Sequence, residues 1–129
     1  MIRIDGHHLT IAEVVRVARD NEKVEISDAG IINIQHSFEL KQRIIESNKP
    51  VYGINTGFGI FADRQIPAKD SAKLSRNLIL SHAVGTGIPL SKEVVRAAML
   101  VRANTLTKGY SGVRLEIVQT LVDMLNIDV

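Results

Sequence analysis

The apolar positions of this chain switch between a period of two and a period of about three and a half, and each switch marks an element. Ile2-Arg3-Ile4 alternates and stops at the turn pair Asp5-Gly6, which predicts a short strand. Thr10 is a good N-cap, and Glu13 three residues later completes a capping box; Ile11, Val14, Val15 and Ala18 then mark one face of a first helix. Val24-Glu25-Ile26 predicts a second strand. Ser27 caps a second helix that reaches Ser47, where Asn48-Lys49-Pro50 stops it. Its apolar positions are Ile31, Ile34, Phe38, Leu40, Ile44 and Ile45. A third helix starts at Asp70 or Ser71, carries Leu74, Leu78, Ile79 and His82, and is expected to end at Gly85-Thr86-Gly87. Ser91 caps a fourth helix through about Lys108, with Val94, Val95, Ala98, Leu100 and Val101 apolar and Gly109 at its end. Ser111 is expected to cap a fifth, in which Val113, Leu115, Ile117, Val118, Leu121, Val122 and Leu125 nearly encircle the axis. Such a helix needs more than one covering neighbour. With no helix after it, residues 113–125 are expected to drive self-association. The pattern is that of a mainly α chain with short N-terminal strands and about five helices. No repeat, low-complexity segment or linker divides residues 1–129.

Composition removes function classes more than it selects one. The 129 residues are 45% hydrophobic and 23% charged, ordinary for a globular domain that buries about two-thirds of its unfolded surface. A net charge of +2, with basic and acidic residues interleaved, gives no electrostatic footprint for nucleic acid. Aromatic residues are only 4%, so no base-stacking platform is expected. There is no cysteine, which excludes disulfides, thiolate nucleophiles and zinc–thiolate sites within these residues. No apolar run has signal-peptide length or the roughly 20 residues needed to span a bilayer. The expectation is a cytoplasmic protein without membrane partners.

The candidate chemistry centres on residues 51–59, where Gly53, Gly57 and Gly59 fall between Pro50 and a polar stretch. Glycine allows sharp turns and close approach, so the loop can hold the Tyr52 phenol toward a bound molecule. It can equally be an irregular connection pinned to the core by Tyr52 and Phe58. The run is neither phosphate motif, lacking both a Gly-Lys-Ser/Thr ending and Gly-x-Gly-x-x-Gly spacing. A free phenol ionises near pH 10, so a catalytic base at neutral pH would need its phenolate stabilised. His82 is the second candidate. Beside Leu78 and Ile79 it reads as a core histidine or as a ligand-facing one. Ser81 and His82 lie about 100° apart around a helix, so they are expected to be unable to form a nucleophile–base pair with each other. His7-His8 with Asp5 lacks the third and fourth ligands of a metal site, and His36 reads as helix surface or core edge. Lys69, Asp70, Lys73 and Arg76 read as a solvated face.

Tyr52-Gly53-Ile54-Asn55-Thr56-Gly57-Phe58-Gly59 resembles the signature loop of the aromatic amino acid ammonia-lyases. The resemblance continues through Asn77-Leu78-Ile79-Leu80-Ser81-His82, Gly85-Thr86-Gly87, Arg96-Ala97-Ala98-Met99-Leu100 and Ser111-Gly112-Val113-Arg114, in the family's order and spacing. It implies the N-terminal region of a helical ammonia-lyase fold. It makes Tyr52 the base that removes the substrate's β-proton, Gly59 a pocket-lining residue and His82 a substrate-binding residue. Ser-His at 81–82 is the histidine-type pair; tyrosine-type enzymes read His-Leu there, and phenylalanine-type enzymes an apolar pair. An imidazole substrate can exchange a hydrogen bond with His82, whereas an apolar pair would leave its nitrogens unpaired. The resemblance further implies a homotetramer acting on an amino acid, with a 4-methylidene-imidazol-5-one electrophile formed from Ala-Ser-Gly. That tripeptide is absent from these residues, so the chain is expected to be the N-terminal part of a longer enzyme, cut before it. Thr86, where valine is common, and Leu74-Ser75, where Leu-Gln is common, depart from the pattern away from the proposed chemistry. The other readings are a related lyase or aminomutase, or a non-catalytic helical module.

Overall fold

The structure, a computed structural model, describes residues 1–47, 49–57, 66–67 and 70–128. Among these the elements run β1 (Ile2–Ile4), α1 (Ile11–Asp20), β2 (Val24–Ile26), α2 (Asp28–Glu46), α3 (Ser71–His82), α4 (Lys92–Thr107) and α5 (Leu115–Ile127). They form two compact units, Met1–Leu40 with Pro89–Val129, and Lys41–Ile88, so α2 contributes to both.

In the first unit β1 and β2 pair in parallel, with Ile2 opposite Val24 and Ile4 opposite Ile26. The period of two puts these four apolar side chains on the buried face, while Arg3 and Glu25 between them pair on the other at 2.5 Å. Parallel strands require a crossover, and α1 supplies it. Its expected capping box is present: Glu13 N–H donates to Thr10 Oγ1 at 3.3 Å, and Thr10 N–H donates to Glu13 Oε2 at 2.8 Å. The face it buries is narrower than the apolar pattern suggested. Val17 is fully buried with Val14 and Ala18 half-buried beside it, while Ile11 is 85% exposed and Val15 is also exposed. Contact with α4 uses the stripe 14, 17 and 18 and leaves Ile11, a turn earlier, in solvent.

The fourth helix also corrects the sequence reading. Val94, Val95, Ala98 and Val101 are exposed; the buried stripe is Arg96, Leu100, Ala103, Leu106 and Thr107. Arg96 anchors it because two helices end against its guanidinium. The Asn21 N–H that caps α1 turns in the left-handed conformation to Arg16 O, and the Val17 carbonyl accepts from Arg96 Nη2 at 2.9 Å and Nε at 3.2 Å. At the end of α5, Leu125 O and Asp128 Oδ1 accept from Nη1 at 3.1 and 3.0 Å. A buried cation is thus satisfied by carbonyls at the negative ends of two helix dipoles and by one carboxylate.

α5 is not the uncovered helix expected. It starts at Leu115 with Arg114 at the cap, four residues beyond Ser111, because Gly112 turns at φ +59° and donates its N–H to Ser37 Oγ. Val118, Val122 and Leu125 pack inward against α4 and β2, while Ile117 and Ile127 remain exposed. The self-association argument therefore loses its main surface. Asn126 joins the helix to the sheet, taking Val24 N–H on Oδ1 and giving Nδ2–H to Val24 O, both at 2.8 Å. Gly109 permits the closest backbone approach: at φ +76°, a Cβ there would lie 2.5 Å from the Asn33 carbonyl oxygen of α2.

Candidate active site

Tyr52, His82 and the expected loop all belong to the second unit. Gly59 and Phe58 lie outside the described residues, as does Lys69. The loop begins with a tight turn: Ile54 N–H donates to Val51 O at 3.1 Å, and Gly53 at the third position has φ +78°. That sign of φ is the requirement of a type II turn, and open space around the missing Cβ shows that backbone conformation, not crowding, calls for glycine. Tyr52 occupies the second position and is 64% exposed, so it is not the core pin that one reading allowed.

What holds this turn is Asn55, a residue the sequence reading passed over. Its side chain is buried. Oδ1 accepts from Val51 N at 2.8 Å and Nδ2 donates to Lys49 O at 2.9 Å, tying the segment that enters the turn to the residue that leaves it. Its own carbonyl accepts from Ile66 N at 2.8 Å. Thr56 beside it is also buried, with Oγ1 donating to Gly57 O. An exposed phenol therefore stands on a buried, hydrogen-bonded base. An Asn three residues beyond a tyrosine in a Gly-rich run is the usable signal, since its side chain readily bonds nearby backbone.

His82 is the last residue of α3 and is exposed in this chain. The helix ends earlier than the Gly85-Thr86-Gly87 signal suggested. Ala83 at φ −76°, ψ 64° forms an inverse γ-turn, with Val84 N–H donating to His82 O at 2.8 Å. A second correction concerns the neighbouring serine. Although their Cα atoms diverge around the axis, Ser81 Oγ and His82 Nδ1 lie 2.9 Å apart. Both side chains lean back over the preceding turn toward Leu78 O, which is 3.1 Å from Oγ and 3.0 Å from Nδ1. Of the solvated face, Lys73 and Arg76 are exposed.

Asp5, by contrast, is used locally: Oδ1 accepts the His7 and His8 N–H groups and Oδ2 lies 2.5 Å from His8 Nδ1. The His8 ring, and then those two N–H groups, hold the Asp5 carboxyl well below the usual carboxylate range; the same ring pair raises His8. Among the described residues no three metal-ligating side chains gather, and no helix is long and apolar enough to cross a membrane. A shallow groove of about 180 Å³ between α1 and α4, lined by Val14, Val15, Ala18, Val94 and Ala97, contains none of the candidate residues.

The second unit carries a phenol on a hydrogen-bonded turn and an imidazole at a helix end, and a model of the aromatic amino acid lyases matches residues 9–129. The chain belongs to the aromatic amino acid lyase family. It is 53% identical over 123 residues to a histidine ammonia-lyase of Caldanaerobacter subterraneus subsp. tengcongensis, a match covering 95% of this chain and 24% of that protein. The fold agrees with solved members of the family. A tyrosine aminomutase from Streptomyces globisporus superposes with a TM-score of 0.93 at 35% identity, over 99% of this chain and 24% of the other. Histidine ammonia-lyase from Trypanosoma cruzi gives 0.87 at 35% identity, over 97% and 24%. The chain thus spans about a quarter of the length of the curated relatives it matches. The helical fold expected for a lyase of this family is present.

Proposed function

We propose that this chain supplies the proton-abstracting and substrate-reading groups of a histidine ammonia-lyase, which converts L-histidine to urocanate and ammonia. The observation that carries the reading is His82, exposed at the end of α3 beside Ser81, in a chain 53% identical to a histidine ammonia-lyase. A tyrosine aminomutase shares the fold, but fold does not select substrate. In this reading Tyr52 takes a β-proton of the substrate. The C–H electron pair becomes the Cα–Cβ double bond, the Cα–N bond breaks, and nitrogen leaves with its electron pair as ammonia. Asn55 keeps the phenol in place, His82 engages the imidazole ring, and Gly59 lines the pocket.

The 129 residues contain no Ala-Ser-Gly, so none of them forms the 4-methylidene-imidazol-5-one of this reading. That group, when present, supplies the electrophile that makes the amine a leaving group. The single segment 1–129 is then the N-terminal part of a longer, cytoplasmic homotetramer. The test is ammonia release by the full-length protein from histidine, tyrosine and phenylalanine. Urocanate with histidine, and kcat/KM at least about a hundredfold lower for the other two, is expected where a site pairs a substrate N–H. Preference for tyrosine or phenylalanine, or formation of a β-amino acid, would replace this reading with that of a related lyase or aminomutase.

A further inference from the structure

We infer that Leu78 O and Ser81 hold the His82 ring as the Nδ1–H tautomer, so that Nε2 presents a bare lone pair to the substrate; this rests on the histidine-lyase reading. The inference comes from one three-way contact. Leu78 O lies 3.0 Å from His82 Nδ1, and a carbonyl oxygen only accepts. A neutral ring with its proton on Nε2 would set the Nδ1 lone pair against that oxygen. With the proton on Nδ1, the N–H is shared between Leu78 O and Ser81 Oγ at 2.9 Å, and the Ser81 hydroxyl donates to Leu78 O at 3.1 Å. Every donor then has an acceptor. The carbonyl selects the tautomer, and the serine is a positioning residue that keeps the ring from rotating about its bond to the helix.

The bond made by one ring nitrogen decides what the other can do. Here Nε2 is an acceptor, so the neutral ring reads an N–H. Histidine has a ring N–H to give; a thiazole ring of nearly the same shape has a ring nitrogen and no N–H. If the proton were on Nε2 instead, the outward group would be a donor, and a thiazole nitrogen would satisfy it. The two arrangements therefore predict opposite preferences between nearly isosteric ligands.

Two measurements on the full-length protein test this. With 15N-labelled histidine and His82→Gln to assign the signals, two-bond 1H–15N correlation in alkaline buffer should show a pyrrole-type Nδ1 and a pyridine-type Nε2 for residue 82. The reverse pattern, or averaged shifts, overturns the inference. This spectrum needs no turnover, so it stands even if histidine proves not to be the substrate, an outcome that would defeat the functional reading alone. In kinetics, 4- and 5-thiazolylalanine should both bind at least about tenfold more weakly than histidine, as expected when an acceptor covered by the bound ligand is left unpaired. Binding of either isomer as tightly as histidine overturns it. Ser81→Ala should raise KM for histidine about three- to tenfold with little change in kcat, and Ser81→Thr, which keeps the hydroxyl, should restore it. A loss in Ser81→Ala confined to kcat, or not rescued by threonine, would remove Ser81 from the role.

Discussion

Tyr52 illustrates how a single residue's role depends on what lies beneath it. Its phenol is exposed, yet the turn that carries it is fastened by the buried Asn55 amide to Lys49 O and Val51 N. In the full-length protein Tyr52→Phe removes only the hydroxyl. It should lower kcat by about 10²–10⁴, the range for loss of a general base, with a smaller change in KM. A kcat near that of the parent would take Tyr52 out of the chemistry. Tyr52 and His82 were open to nomination from the sequence because a motif marks them. Asn55 was not, because its value lies in two carbonyl and amide groups that only the folded turn brings to it. Asp5 and His8 give a further check at this scale. His8 is raised by its carboxylate partner and Asp5 is lowered by the imidazole, so whatever the pair adds to stability is complete between about pH 4 and about pH 6.5, the two unfolded values. It is lost as pH rises through the folded value of His8 and as pH falls through that of Asp5. An NMR titration should find His8 above its ordinary value and returned toward it in Asp5→Asn; an unchanged His8 in that variant would mean Asp5 is not the cause.

At the scale of elements, periodicity located every helix among the described residues but misjudged which faces are buried. Strand alternation was reliable, since a two-residue period leaves only two faces, and Ile2, Ile4, Val24 and Ile26 all point inward. On α4 the apolar pattern pointed to Val94, Val95, Ala98, Leu100 and Val101; of these the structure buries Leu100, and it buries Arg96 beside it. No local rule places an arginine in a core. Its place follows from Val17 O and Leu125 O, on helices 79 and 29 residues away in the chain, arriving at one point. Ser111 misled for a related reason, because the Gly112 turn and its bond to Ser37 delay the start of α5. The energetic prediction belongs to this junction. Arg96→Met keeps much of the volume but leaves the buried Val17 and Leu125 carbonyls without their donor, while Asp128 keeps Lys92. It should destabilise the chain by about 3 kcal/mol or more, in the range for breaking a buried charge network. Urea unfolding that gives less than about 1 kcal/mol would show that water replaces the guanidinium at little cost.

For the molecule as a whole, the two units differ in how much they bury. α4 contributes Arg96, Leu100, Ala103, Leu106 and Thr107 to the buried interior, and α5 adds Val118, Val122 and Leu125. In α3 no described side chain is buried, and the stretch that follows holds Val84 and Ile88 at 83% and 96% exposure. Helices in proteins are stabilised mainly by packing of an apolar face, and a 12-residue helix is marginal without it. Local opening free energies follow the same packing, with functional segments commonly drawn from the less stable end. In the isolated 129-residue chain, amides of residues 75–82 should therefore exchange at least about tenfold faster than those of residues 96–107. They should become protected in the full-length protein, where this apolar stretch can be covered. Native-state hydrogen exchange on both proteins reads this directly. Equal protection of α3 and α4 in the isolated chain would mean that the second unit is held by contacts outside the described residues. Unchanged fast exchange in the full-length protein would overturn the expectation that the rest of the protein covers α3.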